Sequence, residues 1–308
     1  MPQVSVIIPT HNRSDFLRSA IASVLNQTYE DFEIIVVDDA STDNTAEVVA
    51  AFKDERIKFM RHETNKGGSA ARNTGIRASK YDYIAFLDDD DDWLPEKLRK
   101  QIEVLRSSPP EVGGVYTGYM ILDRASMRVI RRYCPVKKGN LFHDLLVTNC
   151  VGSTSSMLLK RECLEKVGLF DESLPCSQDY DLWIRIAKEF WFECIQEPLF
   201  NYYIHQHTIS TDLEGQTRGL EIMARKYSKP PLSRNFYTNQ YLDIGVMYCL
   251  AGDVHKGRRA FFKAIKLFPL QLRAYFNLGL SIFGSGKFRQ LKEAERKAFA
   301  SFAPTKRA

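Results

Sequence analysis

The sequence has no apolar stretch long enough to span a bilayer. Its longest, Val112 to Leu122, is interrupted by Gly and Thr and falls short of the roughly 18–20 residues required. A secretory leader is also missing: Met1-Pro2-Gln3 precedes only the short run Val4 to Pro9, without a basic n-region or long h-region. A cytoplasmic chain is therefore expected. The six cysteines, at 134, 150, 163, 176, 194 and 249, include no Cys-x-x-Cys pair. That excludes the common zinc and dithiol spacings and implies reduced thiols. What is present suffices for a core: 308 residues, 44% hydrophobic and 26% charged, fitting one large domain with an appendage. The net charge of +5 hides a division, with 25 Lys+Arg against 32 Asp+Glu over residues 1–212 and 18 against 6 over 213–308. The second segment either faces an anionic surface or presents ordinary solvated basic helices.

The first hundred residues alternate in period. Val4 to Ile8, Phe32 to Val37, Ile57 to Met60 and Tyr83 to Leu87 predict strands, the first and fourth of them buried. Between them, Ser14 is expected to cap a first helix, with others over 43–52, 69–78 and from Pro95 to Leu105. This βα order predicts an open, mainly parallel sheet flanked by helices, which binds ligands beyond the carboxyl ends of its strands. The middle predicts strands over 115–122, 127–133 and 155–159 and helices over 141–147, 161–167 and 179–189. Helices dominate after Leu220.

Polar clusters follow three of the strands: Pro9 to Arg13, Asp38 to Asp43, and the run Asp88 to Asp92 before Trp93. Five adjacent carboxylates after a fully apolar strand destabilise a fold unless cations neutralise some of them. Asp88 and Asp90, at i and i+2, suit a divalent cation that shares its oxygen ligands with a substrate phosphate; a structural acidic turn is the alternative. Asp39 either binds a ribose or base or belongs to a helix-capping turn. Asn65 to Gly75 combines glycines, a helix start and Arg72, a combination suited to an anion. Together these segments describe a pocket for a nucleoside diphosphate. Trp93 and Trp183 are read as core, and His205 and His207 as a polar surface loop.

These blocks, with Gly168 to Glu172 and Gln178 to Trp183 in the same order, resemble family 2 glycosyltransferases over about residues 1–212. The resemblance implies a GT-A fold, an α/β Rossmann-like sheet, and inverting transfer from a nucleotide sugar, with UDP weakly favoured as its carrier. It implies that Pro9, His11, Arg13, Asp39 and Arg72 line the nucleotide pocket. Asp88 and Asp89 would face the nucleotide sugar, Asp88 and Asp90 would hold Mg²⁺ or Mn²⁺, and Asp179 would be the general base. The family has Glu-Asp at the base motif, where this chain has Gln178-Asp179. The acceptor is expected to be a saccharide or lipid-linked saccharide hydroxyl, with no nucleic-acid partner.

In the tail, Tyr241, Gly245, Tyr248, Phe261, Ala264 and Pro269 match tetratricopeptide spacing, and Tyr275 and Gly279 recur 34 residues after Tyr241 and Gly245. The pattern then fades, with Leu291 and Glu295 at the next positions. Arg258, Arg259, Lys263 and Lys266 beside Phe261, Phe262 and Phe268 suggest peripheral contact with anionic lipid. Two other readings compete: an inactive transferase-like adaptor that binds protein through this tail, and a nucleotidyltransferase, which would want a Gly-rich basic loop in place of Pro9 to Arg13.

Overall fold

The computed structural model describes residues 3–204, 213–227 and 234–292, and the chain divides into two compact units, Met1–Thr208 and Ile209–Ala308. His205, His207 and Glu295 lie outside the described residues.

In the first unit the strands are β1 (Val4–Thr10), β2 (Phe32–Asp38), β3 (Ile57–Arg61), β4 (Tyr83–Phe86), β5 (Asp92–Trp93), β6 (Val112–Asp123), β7 (Val129–Tyr133), β8 (Leu158–Lys160) and β9 (Trp191–Ile204). They form one mixed sheet in the order β3-β2-β1-β4-β8-β6-β9-β5, with β7 added to β6. The longer pairings are parallel: β1 with β2 and β4, β2 with β3, and β6 with β9. Strand β8 runs antiparallel between β4 and β6. Consequently β1, β2, β4, β6 and β9 all end on one edge.

The helices are α1 (Ser14–Leu25), α2 (Thr45–Ala50), α3 (Gly68–Ala78), α4 (Lys97–Ser107), α5 (Phe142–Leu145), α6 (Arg161–Val167) and α7 (Gln178–Glu189), with a 3₁₀ turn at Thr154–Ser156. The alternating side chains of β1 explain the layers. Val4, Val6 and Ile8 join the main core with Leu17, Ile21, Leu98 and Ile102 of α1 and α4, while Ile7 faces Gly75 of α3. Trp93 and Trp183 are buried, as expected of core residues.

Three local expectations need correction. Ser14 does not cap α1; it is the first helical residue, and its N–H donates to the Asp43 carboxylate at 3.0 Å, so the cap comes from the loop after β2. Residues 155–159 are divided between the 3₁₀ turn and β8 rather than forming one strand. Strand β9 was not anticipated, because Glu193, Glu197 and Pro198 break any alternation along its 14 residues.

The second unit contains α8 (Leu213–Lys226), α9 (Arg234–Leu250), α10 (Val254–Leu267), α11 (Leu272–Ser281) and a helical stretch over 284–292. Helices α9 and α10 cross closely because both carry glycine there: a Cβ on Gly245 would lie 2.4 Å from the Phe261 ring, and one on Gly257 2.4 Å from Cys249 Sγ. Phe261 is therefore fully buried, stacked on Phe288, and is not available to a lipid surface. Arg258 donates to the Ser281 carbonyl and Lys263 pairs with Glu221, which leaves fewer of the basic groups for such a role than the sequence suggests.

Candidate active site

The polar clusters meet where β1, β2 and β4 end, and each has a distinct task. Asp39 is buried after β2. Its Oδ1 accepts the His62 Nδ1–H (2.7 Å) and the Lys66 N–H (2.8 Å), and its Oδ2 accepts the Gly67 N–H (2.7 Å). Gly67 adopts φ +89°, a conformation that glycine takes without strain, and this turns its amide toward Asp39 as α3 begins. His62 Nε2 lies 2.9 Å from the Thr74 hydroxyl, fixing the imidazole between β3 and α3. Pro9 is buried in β1, and His11 Nδ1–H donates to the Asp39 carbonyl at 2.8 Å.

The acidic run is a turn, not a continuation of β4, and it sorts its carboxylates. Asp88 accepts from Arg72 Nη2 (2.5 Å) and from the Thr154 hydroxyl (3.0 Å). Asp89 points inward to the Thr10 hydroxyl (2.8 Å) and Arg13 Nη1 (3.0 Å), and the same Arg13 nitrogen reaches Asp90 at 2.9 Å. Burial pushes the Asp89 carboxyl up to about 7; Arg13 opposes this and Asp90 adds to it. Asp91 is buried against the Ser155 hydroxyl (2.7 Å), and burial raises its carboxyl well above the usual range. Asp92 accepts from Tyr203. Two arginines thus face Asp88, Asp89 and Asp90, while Asp91 and Asp92 hold the turn to the rest of the sheet.

Arg72, bonded to Asp88, also acts electrostatically on Asp179. Its guanidinium lies over the Phe170 ring (5.7 Å), and Phe170 meets Phe86 edge-on (5.2 Å). Phe170 is fixed in turn: its N–H donates to Asn73 Oδ1 (2.9 Å), and Asn73 Nδ2 returns a bond to the Phe170 carbonyl (2.9 Å). From the other side, buried Asp181 holds Arg185 (2.9 Å), which donates to the carbonyls of Val167, Gly168 and Leu169. The Gly168 to Glu172 block is therefore a brace between α3 and α7.

Asp179 sits half-buried in the first turn of α7, after Ser177 in a left-handed conformation (φ +60°), and its Oδ1 accepts the Tyr180 N–H at 2.7 Å. Burial raises its carboxyl to about 6; the Tyr180 N–H and Arg72 oppose the rise and Asp88 adds to it. A carboxylate tuned in this way, next to an arginine that faces an acidic turn, is suited to accept a proton near neutral pH.

Of the residues expected from sequence, Arg13, Arg72, Asp88, Asp89, Asp90 and Asp179 are brought together, and Pro9, His11 and Asp39 form the adjoining wall. The sequence reading missed His62, Asn73, Thr154 and Ser155. The Ser153 to Ser156 hydroxyl run was the available signal for the last two. Among the described residues, no three His, Cys, Asp or Glu are arranged to hold a metal by themselves. The donor set still fits a hard divalent cation, since Asp88 and Asp90 offer carboxylate oxygens and such ions take most of their remaining ligands from water and phosphate.

Two arginines, an acidic turn and the raised carboxyl of Asp179 thus cluster at the carboxyl ends of the parallel strands, the edge where sheets of this α/β class bind ligands. The family model for glycosyl transferase family 2 matches residues 5–168, and the chain belongs to that family. The match ends short of Asp179. The chain is 31% identical over 245 residues to the Escherichia coli UDP-Glc:alpha-D-GlcNAc-diphosphoundecaprenol beta-1,3-glucosyltransferase WfgD, covering 79% of this chain and 93% of that one. It is 36% identical to the uncharacterized glycosyltransferase RT0329 of Rickettsia typhi over 80% of both chains. A third relative, an uncharacterized glycosyltransferase of Rickettsia felis, is 36% identical, but only 32% of its length is spanned.

Among solved structures, S. aureus TarS in complex with UDP superposes with a TM-score of 0.57 at 17% identity, covering 96% of this chain and 92% of that one. The mannosyltransferase PcManGT of Pyrobaculum calidifontis, in complex with GDP-Man and Mn²⁺, gives 0.58 at 19% identity, covering 91% and 80%. The fold is GT-A.

Proposed function

We propose that the chain catalyses single-displacement, inverting transfer of a sugar from a nucleoside diphosphate sugar to a saccharide hydroxyl. The observation that carries this reading is Asp179, a carboxylate with its pKa raised to about 6, placed beside the Arg72–Asp88 pair. Asp39, His11 and the amides of Lys66 and Gly67 form the base and ribose wall. Arg13 and Arg72 oppose the charge of the diphosphate. Asp88 and Asp90 would hold a divalent cation, which supplies further charge neutralisation to the leaving group. Asp179 takes the proton from the acceptor hydroxyl as that oxygen bonds to the anomeric carbon. The bond from that carbon to the diphosphate breaks on the opposite face, and its electrons leave with the phosphate oxygen.

WfgD, by its name, uses UDP-Glc and a lipid diphosphate-linked acceptor, and this supports a UDP-sugar donor and a lipid-linked acceptor here. Mn²⁺ in the PcManGT complex supports the divalent cation. We assign residues 1–212 to transfer and 213–308 to a tetratricopeptide-like helical tail. Among the described residues no helix is long and apolar enough to cross a membrane. The exposed Phe262 and the basic groups Arg259 and Lys266 suit peripheral contact of the tail with anionic lipid.

The test is titration of UDP-Glc, UDP-GlcNAc and GDP-Man into the full chain with Mn²⁺, followed by transfer assays with wild type and Asp179→Asn. One donor should bind, and both proteins should bind it alike while only wild type turns it over. No donor binding, or unchanged turnover in the variant, overturns the proposal.

A further inference from the structure

Strand β6 does not stop where β4 stops. Val115 pairs with Leu158, and Leu158 with Ala85, so Val115 and Ala85 are level; Tyr119 lies four residues beyond that level and Asp88 three. The second half of β6, with β7 and the end of β9, therefore runs on as a flap beside the acidic turn, level with β5, whose Asp92 pairs with Asn201 of β9. On it Tyr119 packs against Tyr133 (ring centroids 5.0 Å apart) and Tyr202 (6.2 Å). All three rings are half-buried.

The flap is fastened to the loop that carries the site. Tyr133 Oη–H donates to the Cys150 carbonyl (3.0 Å), and a Cβ on Gly152 would lie 3.6 Å from the Tyr119 ring. The Gly152 carbonyl accepts from Trp183 of α7 (3.1 Å), and Thr154 of the same loop holds Asp88. Asp88, Asp90 and Asp91 raise the Tyr202 phenol above its usual range after burial, which is the larger cause. The tyrosine cluster thus borders both the acidic turn and the helix of the base, on a side that the nucleotide pocket does not use.

Charge adds the second observation. Strand β7 is exposed on both faces, with Val129 52% and Ile130 49% exposed. Arg131 and Arg132 on it, and Arg128 just before it, form no ion pair with any described residue. Arg131 shares a face with Tyr119 and Tyr133, and its charge lowers both phenols against the larger effect of their burial. Half-buried aromatic rings suit the apolar C–H face of a sugar, and an unpaired guanidinium suits a phosphate.

We propose that the β6–β7–β9 flap is the acceptor subsite and that it takes a saccharide carrying a phosphate or diphosphate next to the sugar, with Tyr119 and Tyr133 against the ring and Arg131 on the phosphate. This rests on the transferase reading above and assigns the acceptor side of that site. The phosphate comes from a lipid diphosphate or from a soluble sugar phosphate, and the two sources separate by experiment.

The experiment saturates the full chain with UDP and Mn²⁺, so that the nucleotide site is filled, and measures binding of GlcNAc, GlcNAc 1-phosphate and farnesyl-diphospho-GlcNAc. Wild type should bind a phosphorylated probe at least about tenfold more tightly than GlcNAc, the effect of one charge-assisted contact. Arg131→Ala should abolish that preference, Arg131→Lys should retain part of it, and UDP affinity should not move in either. Binding of both phosphorylated probes supports recognition of the phosphate itself; binding of the farnesyl compound alone supports a lipid-linked acceptor. Equal binding of all three probes to wild type, or a preference that survives Arg131→Ala, overturns the proposal. Failure of UDP to bind overturns the transferase reading instead.

Discussion

Replacing Asp179 with Asn removes the proposed base while keeping the shape of the side chain and its acceptor for the Tyr180 N–H. Loss of a general base lowers kcat by about 10²–10⁴. The same change acts on stability with the opposite sign. The folded carboxyl is raised from the ordinary 3.8 to about 6, so folding favours its protonated form. The resulting cost is absent below the unfolded pKa and complete above pH 6. The full difference corresponds to about 3 kcal/mol, and the half-exposed position of the carboxyl reduces this to on the order of 1–2 kcal/mol. Asn carries no such cost. Asp179→Asn should therefore melt about 2–6 °C above wild type at pH 7.5, with the gap closing near pH 4. In wild type, kcat/KM should fall about tenfold per pH unit below pH 6. Steady-state transfer assays and thermal melts at both pH values test this. Turnover within threefold of wild type, or a variant that melts lower at pH 7.5, would refute the reasoning.

Asp88 and Asp91 separate by the same logic. Asp91→Asn keeps the Ser155 bond and removes a carboxyl whose charged form burial disfavours, so it should leave kcat within about threefold, whereas Asp88→Asn should cost at least about tenfold in kcat/KM. Lys97 is fully buried over the Trp93 ring, its Nζ donates to Gln101 at 2.7 Å, and burial holds its pKa well below the usual value. Because the folded pKa is depressed, the charged form is favoured by unfolding. Wild type should gain stability over Lys97→Met as pH rises from 7 toward 10, read by urea unfolding; the opposite trend would place a charged lysine in the core. Gly245→Ala puts a methyl 2.4 Å from the Phe261 ring and should destabilise the second unit by about 1–3 kcal/mol, seen as faster amide exchange in α9 and α10 with transfer kinetics unchanged.

The βα half of the fold was readable because β1 and β2 are short β-branched runs and the buried strands there are each closed by turn chemistry. Strand β9 was hidden because a strand whose register with β6 shifts on both sides of Pro198 shows no constant period. The acidic run was legible as a site but not as a division of labour. That Asp89 turns to Thr10, while Asp88 reaches Arg72 of a different helix, depends on the turn geometry and on contacts 16 to 79 residues away. The Gly168 to Glu172 block was recognised as a pattern, and the structure supplies its physical reason, a brace that sets Phe170 under Arg72. His62 escaped notice because a lone histidine after an edge strand carries no signal until its carboxylate partner is folded against it.

The central claim is a single displacement with Asp179 as base, and the configuration of the product tests it most directly. The donor that binds with Mn²⁺ should be turned over on an acceptor and the new linkage examined by NMR, through the coupling between the anomeric and adjacent protons. Inversion relative to the donor is the predicted result. A product that retains the donor's configuration would contradict the account.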